Sequence, residues 1–209
     1  MAGMSVSLAL IDYGAGNLRS VAKALAAAGA RDVAVTADPD VVARADRIVL
    51  PGVGAFRHCM DSLCAIDGMV AAMEQRVRGE GAPFLGICVG MQLLAQEGHE
   101  HGVTPGLGWI AGAVRPLEPA DPSVRVPHMG WNAVRTLRDH ALVVPGEAYF
   151  LHGYHLDAAR EEDVLAMTDH GGPLVAAVAN GTIAGVQFHP EKSQRYGIAF
   201  LERFLAWRP

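Results

Sequence analysis

Hydrophobic positions in the first half of the chain form short apolar runs that alternate with amphipathic stretches. The apolar runs predict strands at residues 6–11, 33–35, 47–50 and 83–87. The stretches between them predict helices at residues 18–28, 59–78 and 89–95, with Asn17 as the N-cap and Gly29 as the stop of the first helix. Strands that alternate with helices indicate a parallel, doubly wound sheet with helices on both faces.

From residue 108 onward the pattern changes to short β-like runs separated by Pro, Gly, His and Asp. These runs lie at residues 109–114, 149–151, 164–167, 174–178 and 183–188, and a last helix is expected at 196–206. They predict an antiparallel or mixed extension of the sheet. Because no repeat or long linker divides the chain, we expect residues 1–209 to form one domain of the α/β class with a mostly parallel sheet.

The composition excludes several classes of protein. Hydrophobic residues make up 51% of the chain and charged residues 19%, which is typical of a globular protein that buries a core. The net charge is -5 and no basic patch is evident, so nucleic acid is not an expected partner. The first apolar run is too short to span a membrane and lacks the features of a cleavable leader, so we expect a cytoplasmic protein without a membrane partner.

The segment Gly86-Ile87-Cys88-Val89-Gly90 has the pattern of a nucleophile in a tight turn from strand to helix. Such a turn lifts the sulfur to the C-terminal edge of the sheet, where α/β proteins bind ligands. The helix N-terminus that follows favours the thiolate, and the N–H of Val89 is a candidate oxyanion donor. Cys59 and Cys64 lie inside a predicted helix and are interpreted as structural, and three cysteines do not indicate a disulfide framework.

His189-Pro190-Glu191 is the second chemical signal, because a predicted strand delivers it to the same edge of the sheet. His and Glu two residues apart on an extended segment project to the same side, so Glu191 can orient His189 as the base for Cys88. Eight other histidines compete for this role. His99 and His101 do not have the i, i+4 spacing of a helical metal pair, so no metal site is predicted.

Together these motifs resemble those of the class I glutamine amidotransferases of the triad type, and the resemblance covers essentially the whole chain. Residues 86–92 (GICVGMQ) resemble that family's nucleophile motif, with Val89 where Leu is more usual. Residues 186–193 (VQFHPEKS) resemble its His/Glu motif. The resemblance implies a flavodoxin-like fold, a Cys88-His189-Glu191 triad, glutamine as the substrate and no cofactor.

Three further segments narrow the resemblance to the family of glutaminase subunits of imidazole glycerol phosphate synthases. They are residues 12–17 (DYGAGN), 51–56 (PGVGAF) and 127–132 (PHMGWN). The resemblance implies that ammonia from glutamine passes to a (β/α)₈-barrel synthase subunit in a heterodimer. That subunit would make imidazole glycerol phosphate and an aminoimidazole carboxamide ribotide in histidine biosynthesis.

The resemblance also implies roles for individual residues. Four residues would form the oxyanion site: Gly52, Val53, Gly54 and Val89. Four would hold the amino-acid end of glutamine: Gln92, Glu100, Gly153 and Tyr154, with Gly153 departing from the Ser or Thr often found there. Four would face the partner subunit: Asn17, Trp131, Tyr149 and Lys192.

Alternative interpretations stay open at this point. The chain could serve a different synthase, although residues 127–132 argue against this. A cysteine peptidase or chaperone of similar fold usually has His directly after the nucleophile, whereas Val89 follows Cys88 here. A non-catalytic scaffold subunit would not need all three triad residues. Trp131 could instead be a core residue, and Lys192 a solvated charge.

Overall fold

The computed structural model describes residues 7–209. In chain order its strands are β1 (Ser7–Ile11), β2 (Asp32–Thr36), β3 (Arg47–Gly52), β4 (Phe84–Cys88), β5 (Glu97–Gly98), β6 (Thr104–Pro105), β7 (Gly112–Pro116), β8 (His128–Thr136), β9 (Gly146–His152), β10 (Tyr154–Ala158), β11 (Val164–Asp169), β12 (Pro173–Asn180) and β13 (Ile183–Val186). The α-helices are α1 (Leu18–Ala27), α2 (Pro39–Arg44), α3 (Phe56–Cys64), α4 (Met69–Glu74), α5 (Val89–Gln92) and α6 (Gln194–Ala206). Val6, the first residue of the first predicted strand, lies outside the described residues.

The main sheet joins a parallel half to an antiparallel half, which confirms the predicted fold class. Its strand order is β2-β1-β3-β4-β13-β12-β11-β8-β9. The strands from β2 to β13 pair in parallel, and those from β13 to β9 pair antiparallel. A second sheet, β10-β7-β5-β6, was not predicted. No helix within residues 7–209 is long and apolar enough to span a membrane.

The centre of the main sheet is buried on both faces. Consecutive residues Ile48, Val49 and Leu50 of β3 are fully buried, as are Phe84 and Leu85 of β4. Because successive side chains of a strand point to opposite faces, such a run shows that both faces are covered. The continuous apolar runs in the sequence therefore correspond to the central strands.

Two predicted helices differ from the observed ones. The helix expected at 59–78 is broken into α3, α4 and a π-helical turn at Gln75–Gly79, because Gly68 takes a left-handed φ of 78° that a helix does not accommodate. The helix expected at 89–95 has its α-helical part only at Val89–Gln92. The carbonyl groups of Leu93, Leu94 and Ala95 accept hydrogen bonds from residues 107–110, which directs the chain away from a regular helix.

Candidate active site

Strand pairing brings the two chemical motifs together. Cys88 is the last residue of β4 and lies directly before α5. On one side its register partner in β3 is Gly52, because β3 continues past its predicted end at residue 50. On the other side Val186 of β13 pairs with Ile87, so the chain that leads to His189 leaves the sheet beside the nucleophile.

Cys88 itself carries the backbone strain of the turn. Its φ is 55° and its ψ is -113°, a conformation uncommon for a residue with a side chain. The flanking glycines serve a different purpose, since a Cβ on Gly86 would overlap the backbone of Gly90. A Cβ on Gly90 would in turn overlap the carbonyl of Leu50. The glycines are therefore required by close backbone packing between β3, β4 and α5.

His189 and Glu191 form a buried pair. Nδ1 of His189 lies 2.9 Å from Oε1 of Glu191, and each side chain is 2% exposed. The two residues do not lie on one extended segment as expected, because β13 ends at Val186 and Pro190–Lys192 form a 3₁₀ turn. Proline at the first position of the turn has the φ that such a turn needs. Nε2 of His189 has no hydrogen-bond partner within residues 7–209, which leaves it available to a reacting group.

The environment of His189 favours its charged form. Burial lowers the pKa of this imidazole, but the Cys88 and Glu191 side chains together raise it by more than burial lowers it. The resulting pKa is about 10. The Glu191 carboxyl group on one side and the Cys88 sulfur on the other both favour the protonated ring. At neutral pH the arrangement therefore favours a proton on His189 next to the sulfur of Cys88.

Two buried glutamines form a chain of hydrogen bonds that links Cys88 to the backbone of Tyr154. Nε2 of Gln187 lies 3.7 Å from Sγ of Cys88, and Oε1 of Gln187 accepts a bond of 3.0 Å from Nε2 of Gln92. Nε2 of Gln92 also donates to the carbonyl of Tyr154 at 2.9 Å. Both N–H groups of Gln92 are thus used within the protein, and its carbonyl oxygen is the group that it can offer to a ligand.

A cavity of about 320 Å³ opens above Cys88. It brings together most of the residues that the sequence assigned to chemistry or to glutamine, and it adds Pro127, Leu151 and His152. The predicted residues that line it are Val53, Gly54, Cys88, Val89, Gln92, Glu100, Gly153, Tyr154, His189 and Lys192. Gly52 and Glu191 are absent from the lining; Gly52 pairs with Cys88, and Glu191 contacts the His189 ring.

Glu100 and Gly153 each leave room for a contact with a ligand. Oε2 of Glu100 accepts a 2.7 Å bond from the N–H of Phe56 at the start of α3, which leaves the other carboxylate oxygen free of this bond. A Cβ added to Gly153 would meet only Val126, at 3.8 Å. There is therefore room at Gly153 for the Ser or Thr that the sequence lacks.

The segment from Pro51 to Gly54 is tied to the protein by two buried side chains. The Tyr13 hydroxyl donates to the carbonyl of Pro51 at 2.7 Å. Sγ of Cys59 lies 3.5 Å from the carbonyl of Val53, so this cysteine contacts the predicted oxyanion segment as well as the core. Burial raises the pKa of both side chains, so Tyr13 and Cys59 stay protonated donors at neutral pH.

Three of the four residues predicted to face a partner are contiguous. Trp131 and Tyr149 are register partners on β8 and β9, with ring centroids 6.2 Å apart, and Nζ of Lys192 lies 5.8 Å from the Tyr149 ring. Trp131 is 47% exposed, so it is not a core residue. Asn17 makes no side-chain cap of α1, contrary to expectation; only its backbone carbonyl accepts the N–H of Val21.

The histidines at 99 and 101 do not form a metal site in the described residues. His99 instead pairs with Glu97, with Nε2 2.7 Å from Oε1. No group of three or more His, Cys, Asp and Glu within residues 7–209 is arranged to hold a metal ion.

Comparison with known proteins matches the chain to a family. The model of the family described as "Glutamine amidotransferase class-I" matches residues 9–206. Two curated relatives are both described as "Imidazole glycerol phosphate synthase subunit HisH". The protein from Zymomonas mobilis is 61% identical, with 98% of each chain covered, and the one from Caulobacter vibrioides is 57% identical, with 97% of this chain and 99% of its own covered.

A solved structure supports the fold at much lower sequence identity. It is described as "Crystal structure of glutamine amidotransferase", and it superposes with a TM-score of 0.73 at 19% identity, covering 94% of this chain and 98% of its own. The family match spans nearly the whole chain and contains both the cysteine turn and the buried His-Glu pair. The chain belongs to the class-I glutamine amidotransferase family.

Proposed function

We propose that this protein hydrolyses glutamine to glutamate and ammonia with Cys88 as nucleophile, His189 as acid and base, and Glu191 as the group that orients His189. The observation that carries the proposal is the buried contact of 2.9 Å between His189 and Glu191 at the edge of the cavity that holds Cys88. It has the arrangement of a nucleophile, a base and an orienting group on one edge of a sheet. Residues 1–209 would act as one domain in the cytoplasm.

The reaction is an acyl transfer in two stages. The Cys88 thiolate adds to the side-chain carbonyl of glutamine, and the C–N bond breaks as His189 gives its proton to the leaving ammonia. Neutral His189 then takes a proton from water, which attacks the thioester and releases glutamate and the thiolate. The raised pKa of His189, about 10, supports a resting imidazolium that can act first as the acid.

The negative charge on the carbonyl oxygen requires hydrogen-bond donors. Val89 is the first residue of α5, so its N–H has no partner within the helix and can face the oxyanion. The segment Gly52-Val53-Gly54 would supply the second donor, since Gly52 pairs with Cys88 across the sheet. Gln92, Glu100, Gly153 and Tyr154 would hold the amino-acid end of the substrate. The carbonyl of Gln92 and the free oxygen of Glu100 are suited to the glutamine ammonium group.

The partner and the products are inferred from the relatives, whose names identify them as subunits of imidazole glycerol phosphate synthase. We assign the ammonia to a (β/α)₈-barrel synthase subunit in a heterodimer, which makes imidazole glycerol phosphate and aminoimidazole carboxamide ribotide in histidine biosynthesis. The contiguous side chains of Trp131, Tyr149 and Lys192 would face this subunit, together with Asn17. Trp131 is 47% exposed and Lys192 lines the cavity, which is consistent with passage of ammonia through the interface.

Replacement of the nucleophile tests the chemistry. The protein is co-purified with the barrel synthase subunit, and product formation is measured with glutamine and, separately, with added ammonium. We expect Cys88→Ala to abolish the glutamine-dependent reaction and leave the ammonium-dependent one intact. Substantial glutamine turnover by Cys88→Ala would disprove the nucleophile assignment.

The same assay separates the proposal from its alternatives. A glutaminase for a different synthase would hydrolyse glutamine but would not form imidazole glycerol phosphate with this barrel subunit. A scaffold subunit would bind the barrel subunit without any glutamine turnover.

A further inference from the structure

Two buried histidines on neighbouring strands form a pair at the proposed substrate cavity, of which His152 lines the cavity itself. His128 on β8 and His152 on β9 are register partners, and Nδ1 of His128 lies 3.0 Å from Nε2 of His152. They are 3% and 6% exposed. The ring of His128 stacks between Phe150 and His170, at centroid distances of 4.7 and 4.2 Å. This packing fixes the plane of His128, and the steps described so far do not use either histidine.

Asn132 determines which nitrogen of each histidine carries the proton. Its Oδ1 accepts the N–H of Ala133 at 2.8 Å, so its Nδ2 is the group that lies 2.7 Å from the carbonyl of Asp169 and 3.0 Å from Nε2 of His128. Nε2 of His128 must therefore accept a hydrogen bond, which places the proton of this ring on Nδ1. His128 then donates to His152, which in turn must carry its proton on Nδ1.

This chain of bonds ends on the group that positions Gln92. Nδ1 of His152 lies 2.9 Å from the carbonyl oxygen of Tyr154, the same oxygen that accepts a bond from Gln92. Gln92 continues to Gln187, and Gln187 to the sulfur of Cys88. Donation in one direction, from Asn132 toward Tyr154, satisfies each of these bonds. The Tyr154 carbonyl therefore accepts from two donors, His152 and Gln92.

We propose that His128 and His152 are positioning residues for glutamine, and that Asn132 sets the direction of the relay through which they hold the Tyr154 carbonyl and Gln92. The proposal rests on the glutaminase function proposed above. The relay keeps both N–H groups of Gln92 on protein acceptors and its carbonyl toward the cavity. Asn132 lies next to Trp131 on β8, so the relay starts on the strand that carries the proposed partner contact.

The relay requires both histidines to be neutral, and their surroundings favour this state. Burial lowers the pKa of His128 to about 4 and that of His152 to about 3. The titratable groups that face them are other histidines: His170 acts on both rings and His155 on His152, and positive charge on either lowers these pKa values further. A second proton, on Nε2 of either ring, would face a donor: Nδ2 of Asn132 in the case of His128, and Nδ1 of His128 in the case of His152.

Substitution of Asn132 by Asp tests the direction of the relay, because a carboxylate accepts but does not donate. Neutral His128 would then carry its proton on Nε2, and its bare Nδ1 would accept from Nε2 of His152. The unprotonated Nδ1 of His152 would therefore face the Tyr154 carbonyl without a hydrogen bond. The new carboxylate also raises the pKa of His128. An imidazolium at His128 donates in both directions, so acidification should restore the bond from His152 to Tyr154.

The experiment measures the KM for glutamine and kcat of the assembled synthase between about pH 6 and pH 8.5. For Asn132→Asp we expect KM to rise about tenfold at the upper end and to recover toward wild type at the lower end, with a smaller change in kcat. Asn132→Ala is the matched control; its KM should also rise but without recovery on acidification, since it supplies no carboxylate. A merely structural role for Asn132 would not produce recovery in one variant only.

Imidazole ¹⁵N spectra of the wild-type full chain provide a second measurement that needs no turnover. We expect both His128 and His152 as the neutral form with the proton on Nδ1. A proton on Nε2 of either ring, or parallel KM–pH profiles of the two variants, would overturn the relay. If the wild-type assembly does not hydrolyse glutamine, the proposed function fails, whereas an unchanged KM in an active Asn132→Asp enzyme overturns the relay alone.

Discussion

Cys88, the proposed nucleophile, shows how a single residue can hold a strained conformation. A positive φ on a residue with a side chain costs on the order of 1–3 kcal/mol, which the surrounding structure must offset. Here β3 and β13 pair on either side of β4, and Gly86 and Gly90 allow α5 to pack against the strands without a gap. The turn is therefore set by neighbouring strands rather than by the local sequence alone.

Glu191 is expected to act on His189 rather than on the substrate. The change Glu191→Gln removes a charge that raises the pKa of His189 but keeps an oxygen that can accept from Nδ1. We therefore expect a fall in kcat that is smaller than the loss of roughly two to four decades expected for His189→Ala. Single-turnover measurements with the assembled synthase check this order. Unchanged rates for Glu191→Gln, with chemistry limiting, would contradict the orienting role.

Gly153 offers a substitution that should improve substrate binding. Its nearest neighbour leaves space for a side chain, and a Ser there would add a hydroxyl to the wall of the cavity. We expect Gly153→Ser to lower the KM for glutamine by about threefold to tenfold, since a hydrogen bond to a charged ligand contributes roughly 1.5–3 kcal/mol before ordering costs. Gly153→Ala, which adds a Cβ without the hydroxyl, should leave KM near wild type. Equal effects in both variants would show that the hydroxyl is not responsible.

At the scale of elements, the two glycines of the proposed oxyanion segment differ in the substitutions that they tolerate. Gly54 has a φ of 100° and open space around it, whereas a Cβ on Gly52 would lie 2.6 Å from the N atom of Gly90. A larger residue at Gly52 would therefore disturb the Cys88 turn. Gly54 is the position at which backbone freedom can be restricted without a clash.

We expect the bound partner to stimulate glutamine turnover by rotating the peptide next to Gly54, so that its N–H faces the oxyanion. Gly54→Ala should reduce this stimulation rather than disrupt the fold. At this φ an Ala costs on the order of 1 kcal/mol, and it narrows the range of backbone angles through which the neighbouring peptide can rotate. We expect a loss of most of the stimulation by the liganded partner, with a small change in melting temperature. Gly52→Ala, in comparison, should be destabilised and inactive in every condition. Full stimulation of Gly54→Ala would argue that rotation of this peptide is not how the partner activates the enzyme.

At the scale of the whole molecule, an exposed face lies beside the cavity. Trp131 is 47% exposed and Met129 62%, and both lie on the same side of β8, while His128 and Asn132 lie on the other. A partner that covers Trp131 would thus contact the strand that carries the relay toward Gln92. Lys192 belongs both to this face and to the cavity lining.

Partner binding is therefore expected to control turnover. The isolated chain should have low glutaminase activity, and the complex with a substrate-loaded partner should be faster by two to three decades, roughly the effect of one oxyanion donor. The measurement compares kcat for glutamine in the chain alone, in the complex, and in the complex with the acceptor substrate. Trp131→Ala should weaken the complex and its stimulation but leave the basal rate of the free chain unchanged. Full activity of the chain alone would favour a fixed oxyanion segment.

Much of the architecture was determined by the sequence itself. Apolar runs at the central strands mark burial on both faces, and glycines around Cys88 mark a close backbone approach, so both features are visible in residue order. The parallel half of the sheet, its mixed extension and the tight turn at Cys88 were predicted for this reason. The break of the long helix at Gly68 was not, because a glycine within a helical pattern does not by itself reveal a left-handed φ.

The assembly of the candidate site was decided by tertiary structure. Cys88 and His189 meet because β13 pairs with β4, although about one hundred residues separate them in the chain. The contacts of Gln92 with Tyr154 and of His128 with His152 carry no local signal, since 62 and 24 positions separate the partners along the chain. A motif identifies the residues capable of a reaction, whereas hydrogen bonds between distant segments determine their orientation and their protonation.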